Sequence, residues 1–126
     1  MIYADTHVVA WLHAGRADLI PPRARTLMED DSLLVSPMVV LELEYLFEAG
    51  RASESAHTVL QALGRDVGLR ICDLPFAEVA TKALRQSWTR DPFDRIIVAQ
   101  AALRRAPLIT KDATIRAHYD RALWGR

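Results

Sequence analysis

Four acids stand in or against apolar stretches that read as buried structure. Asp5 ends MIYAD, Glu42 lies inside PMVVLELEYLF, Asp94 opens DRIIVAQAAL and Asp112 follows PLITK. A carboxylate near a core is costly unless it is paired, hydrogen-bonded or bound to a metal. The sequence offers no matching set of buried cations, so the missing positive charge points to a divalent ion. Carboxylate oxygens and water suit Mg²⁺ or Mn²⁺ rather than the soft metals that prefer thiolates. There is no clustered Cys/His spacing for zinc, and His7 and His13 fit helix-surface or core roles. Nor is there a Ser-His-Asp or Cys-His nucleophile set, or a Gly-rich phosphate loop.

Each acid also has a plainer reading. Asp5 and Asp112 sit at strand–helix junctions, where capping acids are common. Glu42 shares a helix face with Met38, Val39, Tyr45, Leu46 and Ala49, none of them basic. Its alternative is an acid at a helix rim paired with a distant arginine. Glu44 points elsewhere, to a face shared with Glu48, where both would be solvated. In D-P-F-D, Asp91 is a natural N-cap, Pro92 the first helical residue and Asp94 the third. Asp94 continues onto a stripe with Ile97, Val98 and Ala101 and so faces inward, while Asp91 has at most a minor metal role. Thr110 stands two residues before Asp112, placed to orient a carboxylate or a water. Thr6, beside Asp5, is a further accessory candidate. Lys111 and Arg95 adjoin the proposed site as phosphate-binding candidates, or as salt-bridge partners for the acids.

The elements that must position these residues alternate. Strands are expected at residues 1–5, 33–35, 69–74 and 107–110, with a last edge strand at Leu123-Trp124. Helices are expected from Thr6 to His13, from Pro21-Pro22 to Met28, and from Ser36-Pro37 to about Ala49. Others run from Ser53 to Arg65, from Pro75 to about Trp88, from Asp91-Pro92 to about Arg105, and over 113–118. Gly15, Gly50 and Gly68 mark helix ends. Short apolar strands alternating with longer helices imply a mostly parallel central sheet with helices on both faces, an α/β/α sandwich. Ligands of such sheets bind beyond the carboxyl ends of the strands, near the switch in strand order. Asp5 and Asp112 fall on that edge.

The 126 residues argue for one domain, residues 1–126, with a core of its own. The hydrophobic fraction is 51% and the charged fraction 25%, with a formal net charge of zero, so bulk charge does not advertise nucleic acid. The distribution is uneven: residues 1–85 carry 8 Lys+Arg against 12 Asp+Glu, and residues 86–126 carry 8 against 4. Arginine outnumbers lysine 14 to 2, which follows either from a GC-rich genome or from phosphate recognition by guanidinium forks. The single cysteine, Cys72, reads as a small hydrophobe in a buried strand. No apolar run is long enough to span a bilayer, and Met1 leads directly into a strand-like segment, so a cytoplasmic location is expected.

The chain resembles the PIN-domain ribonucleases, most closely the VapC-type toxins of bacterial type II toxin–antitoxin pairs. Y-A-D-T-H matches the family's first strand and acid, S-P-M-V-V-L-E-L its second acid, R-D-P-F-D-R-I-I-V-A-Q-A its third and L-I-T-K-D its fourth. The third match is the most specific, and the four occur in order over nearly the whole chain. The resemblance implies a PIN-like fold in which Asp5, Glu42, Asp94 and Asp112 hold one or two Mg²⁺ or Mn²⁺ ions. It implies cleavage of single-stranded RNA to a 5′-phosphate and a 3′-hydroxyl. It also implies a homodimer and a VapB-type antitoxin laid across the active-site groove. Residues 37–68 offer two apolar helices for burial against a second copy, or for the domain's own core. Some family members process RNA without an antitoxin.

Three rival readings stand against this one, the first of a different class. A receiver-like regulatory module needs a phosphorylatable Asp near mid-chain and paired early acids, whereas the first strand gives only Asp5. A metal-dependent phosphatase needs a second Asp two residues after its nucleophile, which D-T-H lacks. A PIN fold that only binds partners would not need the intact acid set.

Overall fold

A computed structural model describes residues 1–125. Five strands form one sheet: β1 (Ile2–Ala4), β2 (Leu33–Val35), β3 (Arg70–Ile71), β4 (Leu108–Ile109) and β5 (Ala122–Leu123), in the order β3-β2-β1-β4-β5. All four pairings are parallel; Tyr3 lies opposite both Leu34 and Leu108. Between them run α1 (Thr6–His13), α2 (Pro22–Asp30), α3 (Pro37–Glu48), α4 (Ala56–Val67), α5 (Phe76–Ala83), α6 (Pro92–Leu103) and α7 (Ala113–His118). The chain builds outward from β1 to β3, then returns to place β4 on the other side of β1. Strand order therefore reverses between β1 and β4, where a crevice must open. A receiver-type sheet would instead run 2-1-3-4-5.

The central strands are short and apolar on both faces because helices cover both. Ile2, Tyr3, Ala4, Leu33, Leu34, Val35, Leu108 and Ile109 are all buried. Val8, Val9, Val39, Leu43, Ile97 and Val98 bring one stripe each of α1, α3 and α6 into the same core. Helix starts follow local chemistry. Ser36 accepts from the Met38 amide with Pro37 at the first helical position, and Ser55 accepts from Thr58. At Gly68 the backbone turns left-handed (φ 72°) to stop α4, a conformation that disfavours any side chain.

Several boundaries differ from expectation. The strand expected over 69–74 shrinks to Arg70–Ile71, whose side chains are exposed. Cys72 lies just beyond it, buried, against the Tyr3 hydroxyl at 3.0 Å. Helix α5 ends at Ala83 rather than near Trp88, because Trp88 leaves the helical path to stack on His118 (ring centroids 4.9 Å, planes 5° apart). A single 3₁₀ turn at Ala17–Leu19 was not expected. The α3–α4 hairpin faces both ways: Val39, Leu43, Val59 and Leu63 join the core, while Leu41 and Tyr45 stay exposed. Glu44 is not simply solvated, since its carboxylate accepts from the Ala56 amide at the start of α4.

Candidate active site

Asp5 ends β1 and caps α1. One carboxylate oxygen accepts from the Thr6 amide at 2.7 Å; the other accepts from the Thr110 hydroxyl, at the end of β4, at 2.6 Å. Thr110 in turn accepts from the Asp112 amide at 3.1 Å. The two strands that flank the switch point are thus tied through one threonine. Asp112 caps α7 through Ile115 N at 2.9 Å, which engages only one of its oxygens. On α6, Asp91 caps the helix by accepting from Phe93 N and Asp94 N. The Thr6 hydroxyl donates to Glu42, which α3 brings from the opposite side of the crevice.

These carboxylates converge on a cavity of about 470 Å³, open to solvent. Asp5, Glu42, Asp91, Asp94 and Asp112 line it, with Lys111 and with His7, Val8 and Trp11 of α1. Among the described residues, none of these acids is salt-bridged; the ion pairs are Met1–Asp31, Arg16–Asp18, Arg65–Asp66 and Arg104–Asp73. Nor does the Asp94 carboxylate accept a hydrogen bond among those residues. Burial, then repulsion from Asp91, Asp5, Asp112 and Glu42, pushes Asp94 up to about 7. Burial also raises Asp5, against the pull of its bonds to Thr110 and Thr6. Glu42 is raised by burial and by Asp5, against its bond from Thr6.

The donor set suits a hard divalent cation. It is all oxygen, it repels itself, and among the described residues no salt bridge neutralises it. Among the described residues, no three acidic, histidine or cysteine side chains stand close enough to ligate an ion without moving. An ion held here would need the free oxygens of Asp112, Asp91 and Asp94 to turn toward it.

The structure brings Asp5, Glu42, Asp94 and Asp112 together, with Asp91, Thr6, Thr110 and Lys111 beside them. Arg95 stays outside the cavity wall, its Nε donating to the Thr89 carbonyl at 2.9 Å. Sequence reasoning gave His7 a helix-surface or core role and passed over Trp11. The available signal was their spacing: four residues apart on α1, they share a face and follow Asp5 directly.

The crevice at the β1/β4 switch is floored by carboxylates, a donor set for a hard divalent cation. The PIN domain family model matches residues 2–120, and the chain belongs to the PIN-domain family. It is 30% identical to ribonuclease VapC22 of Mycobacterium tuberculosis (strain ATCC 25618 / H37Rv), over 93% of this chain and 91% of that one. The fold is shared with a toxin–antitoxin complex from Klebsiella pneumoniae (TM-score 0.69, 21% identity, 98% and 96% of the two chains covered). It is also shared with VapBC2 from Rickettsia felis bound to a promoter DNA fragment (TM-score 0.68, 19% identity, 99% and 98% covered). The protein is accordingly a ribonuclease of the VapC type, and ribonucleases of this family depend on a divalent metal. The receiver-like reading falls with the strand order and the family match. Among the described residues, no helix is long and apolar enough to cross a membrane.

Proposed function

We propose that Asp5, Glu42, Asp94 and Asp112 hold Mg²⁺ or Mn²⁺ and that the chain hydrolyses RNA as the toxin of a VapBC-type pair, in the cytoplasm. The observation that carries this reading is Asp94: a half-buried carboxylate facing four others, with neither an ion pair nor a hydrogen bond to its carboxylate among the described residues. A divalent ion bound there supplies positive charge at the scissile phosphate and acidifies the attacking water. The chain's own residues do the rest. Thr110 holds Asp5 in place through one oxygen, and Thr6 does the same for Glu42. Asp91 fixes the first turn of α6 and so the direction of Asp94. Lys111, the one lysine or arginine on the cavity wall among the described residues, is placed for a phosphate oxygen.

The partner is a VapB-type antitoxin, supported by structural neighbours that are themselves toxin–antitoxin complexes. Leu41 and Tyr45, exposed on α3, support a homodimer, because large apolar side chains grouped on one face mark contact surfaces. The test is cleavage of total cellular RNA by the antitoxin-free chain in Mg²⁺ or Mn²⁺, beside EDTA and Asp94→Asn. Discrete fragments lost in both controls support the reading. Cleavage that survives Asp94→Asn, or a folded chain that cuts no RNA, overturns it.

A further inference from the structure

One wall of the acid cavity is aromatic rather than charged. Trp11 lines the cavity together with His7 and Lys111. The same indole lines an adjoining depression with Leu43 and Arg51, so it forms the ridge between the two. His7 and Trp11 lie one turn apart on α1, their rings 6.2 Å from centre to centre and inclined at 54°. The indole is braced on two other sides: Trp124 packs on it at 5.8 Å, and the Lys111 ammonium sits 5.7 Å from its centroid. Two residues in the same helix, Val8 and Val9, are wholly buried, whereas Trp11 is only partly so. Its ring is therefore anchored in the core at one edge and presented to the cavity at the other.

We infer that Trp11, flanked by His7, is a nucleobase-stacking subsite that positions RNA beside the carboxylates. The inference rests on the nuclease reading above. If the carboxylates fix the scissile phosphate, an attached base must fall on a wall near that phosphate. The α1 wall offers a flat, rigid π-face, which binds any base through stacking and costs little side-chain entropy to hold still. Lys111 lies over that ring and beside Asp112, so one cation serves both surfaces: it fixes the indole, and it is within the same cavity as the incoming phosphates. Stacking on a single indole gives affinity without reading base edges. Trp11 thus sets how tightly single-stranded RNA is held, and its loss falls on KM more than on kcat.

The experiment uses the full chain without antitoxin and short single-stranded RNA probes, oligo(A) and oligo(U), each also made with one abasic nucleotide scanned along its length. Steady-state cleavage in Mn²⁺ is compared for wild type, Trp11→Ala and Trp11→Phe, with direct binding in EDTA as a second readout. Loss of one stacked base predicts KM and Kd raised about tenfold in Trp11→Ala, kcat little changed, and recovery to within about threefold in Trp11→Phe. An abasic nucleotide at one position is expected to weaken wild-type binding to a similar degree and to leave Trp11→Ala binding unaffected. Should Trp11→Ala fail to fold, the abasic scan of the wild type decides alone: a flat scan overturns the inference. Equal KM in all three proteins also overturns it, as does loss of affinity for a purified antitoxin with RNA binding unchanged, which would assign the ridge to a protein partner. Absence of cleavage by the wild type defeats the nuclease reading instead, and is distinguishable because the EDTA binding arm still reports on Trp11.

Discussion

Two groups of polar side chains are sequestered in this small protein, and they are built on opposite principles. In one, Tyr3, Cys72, Ser36 and Gln100 answer one another: the Tyr3 hydroxyl meets Cys72 Sγ at 3.0 Å and Ser36 Oγ donates to Gln100 Oε1 at 3.0 Å. These groups are neutral, and only Gln100 Nε2 is left without a partner among the described residues. In the other, acids face acids across the β1/β4 crevice. Their hydrogen bonds come from threonine hydroxyls and helix amides, which orient carboxylates without cancelling charge. The neutral group is a solution to the problem of burying polarity. The acidic group is that problem left open, and a fold keeps such a cost where a ligand will remove it.

The contrast can be broken by variants on either side. The largest effect belongs to Asp94→Asn, which keeps shape and removes charge. An ion's stabilisation of the transition state is worth several kcal/mol, so kcat/KM should fall by about 10² to 10³ while the protein stays folded. Residual activity within a few-fold of wild type would place the essential charge elsewhere. Next comes Thr110→Val, which frees one oxygen of Asp5 while leaving the ion's donors intact. Activity should drop about 10- to 100-fold, the usual cost of losing a residue that orients a ligand, with part recovered at high Mn²⁺. An unchanged rate would show that Asp5 needs no such support.

A third test reads stability against pH with EDTA present. The Asp94 carboxyl is raised to about 7 in the folded protein, above its unfolded value near 4. Its contribution is thus fully present below about pH 4 and lost as pH rises through about 7. Discounted for its half exposure, the loss is about 1–2 kcal/mol. Asp94→Asn should therefore melt several degrees above wild type at pH 8 and alongside it at pH 4, and saturating Mg²⁺ should narrow the gap at pH 8. Melting curves that differ equally at both pH values contradict the electrostatic origin. The smallest effect is expected on the neutral side: Tyr3→Phe removes one bond to a thiol, a weak partner, so unfolding in urea should shift by less than about 1 kcal/mol with cleavage unaltered.

How much of this was legible in the sequence depended on whether the determining contact was local. Helices α1 and α7 and strand β2 fall at their expected residues, because Asp5, Asp112 and the short LLV run carry their own punctuation. Asp5, Glu42, Asp94 and Asp112 were legible as acids out of place, and the cavity collects all four. What escaped was set by distant partners. Trp88 leaves α5 for a ring thirty positions on, Arg95 turns to the Thr89 carbonyl instead of the cavity, and Glu44 finds the amide of Ala56. Trp11 was passed over because an indole on an apolar helix usually serves the core, and His7 was set aside for want of ligand spacing.

The hydroxyl of Thr110 and the carboxylate of Asp5 are separated by 105 positions along the chain. The strand that carries Thr110 enters the sheet next to the first strand made, and Asp112 follows it by two residues. During synthesis the amino-terminal half therefore emerges holding Asp5 and Glu42 with half of their setting absent. A ribosome-bound chain is surrounded by messenger and ribosomal RNA while it is built at about 5–20 residues per second. Topology alone defers the full set of carboxylates: the fourth joins Asp5 and Glu42 only after the residues through Asp112 have been made.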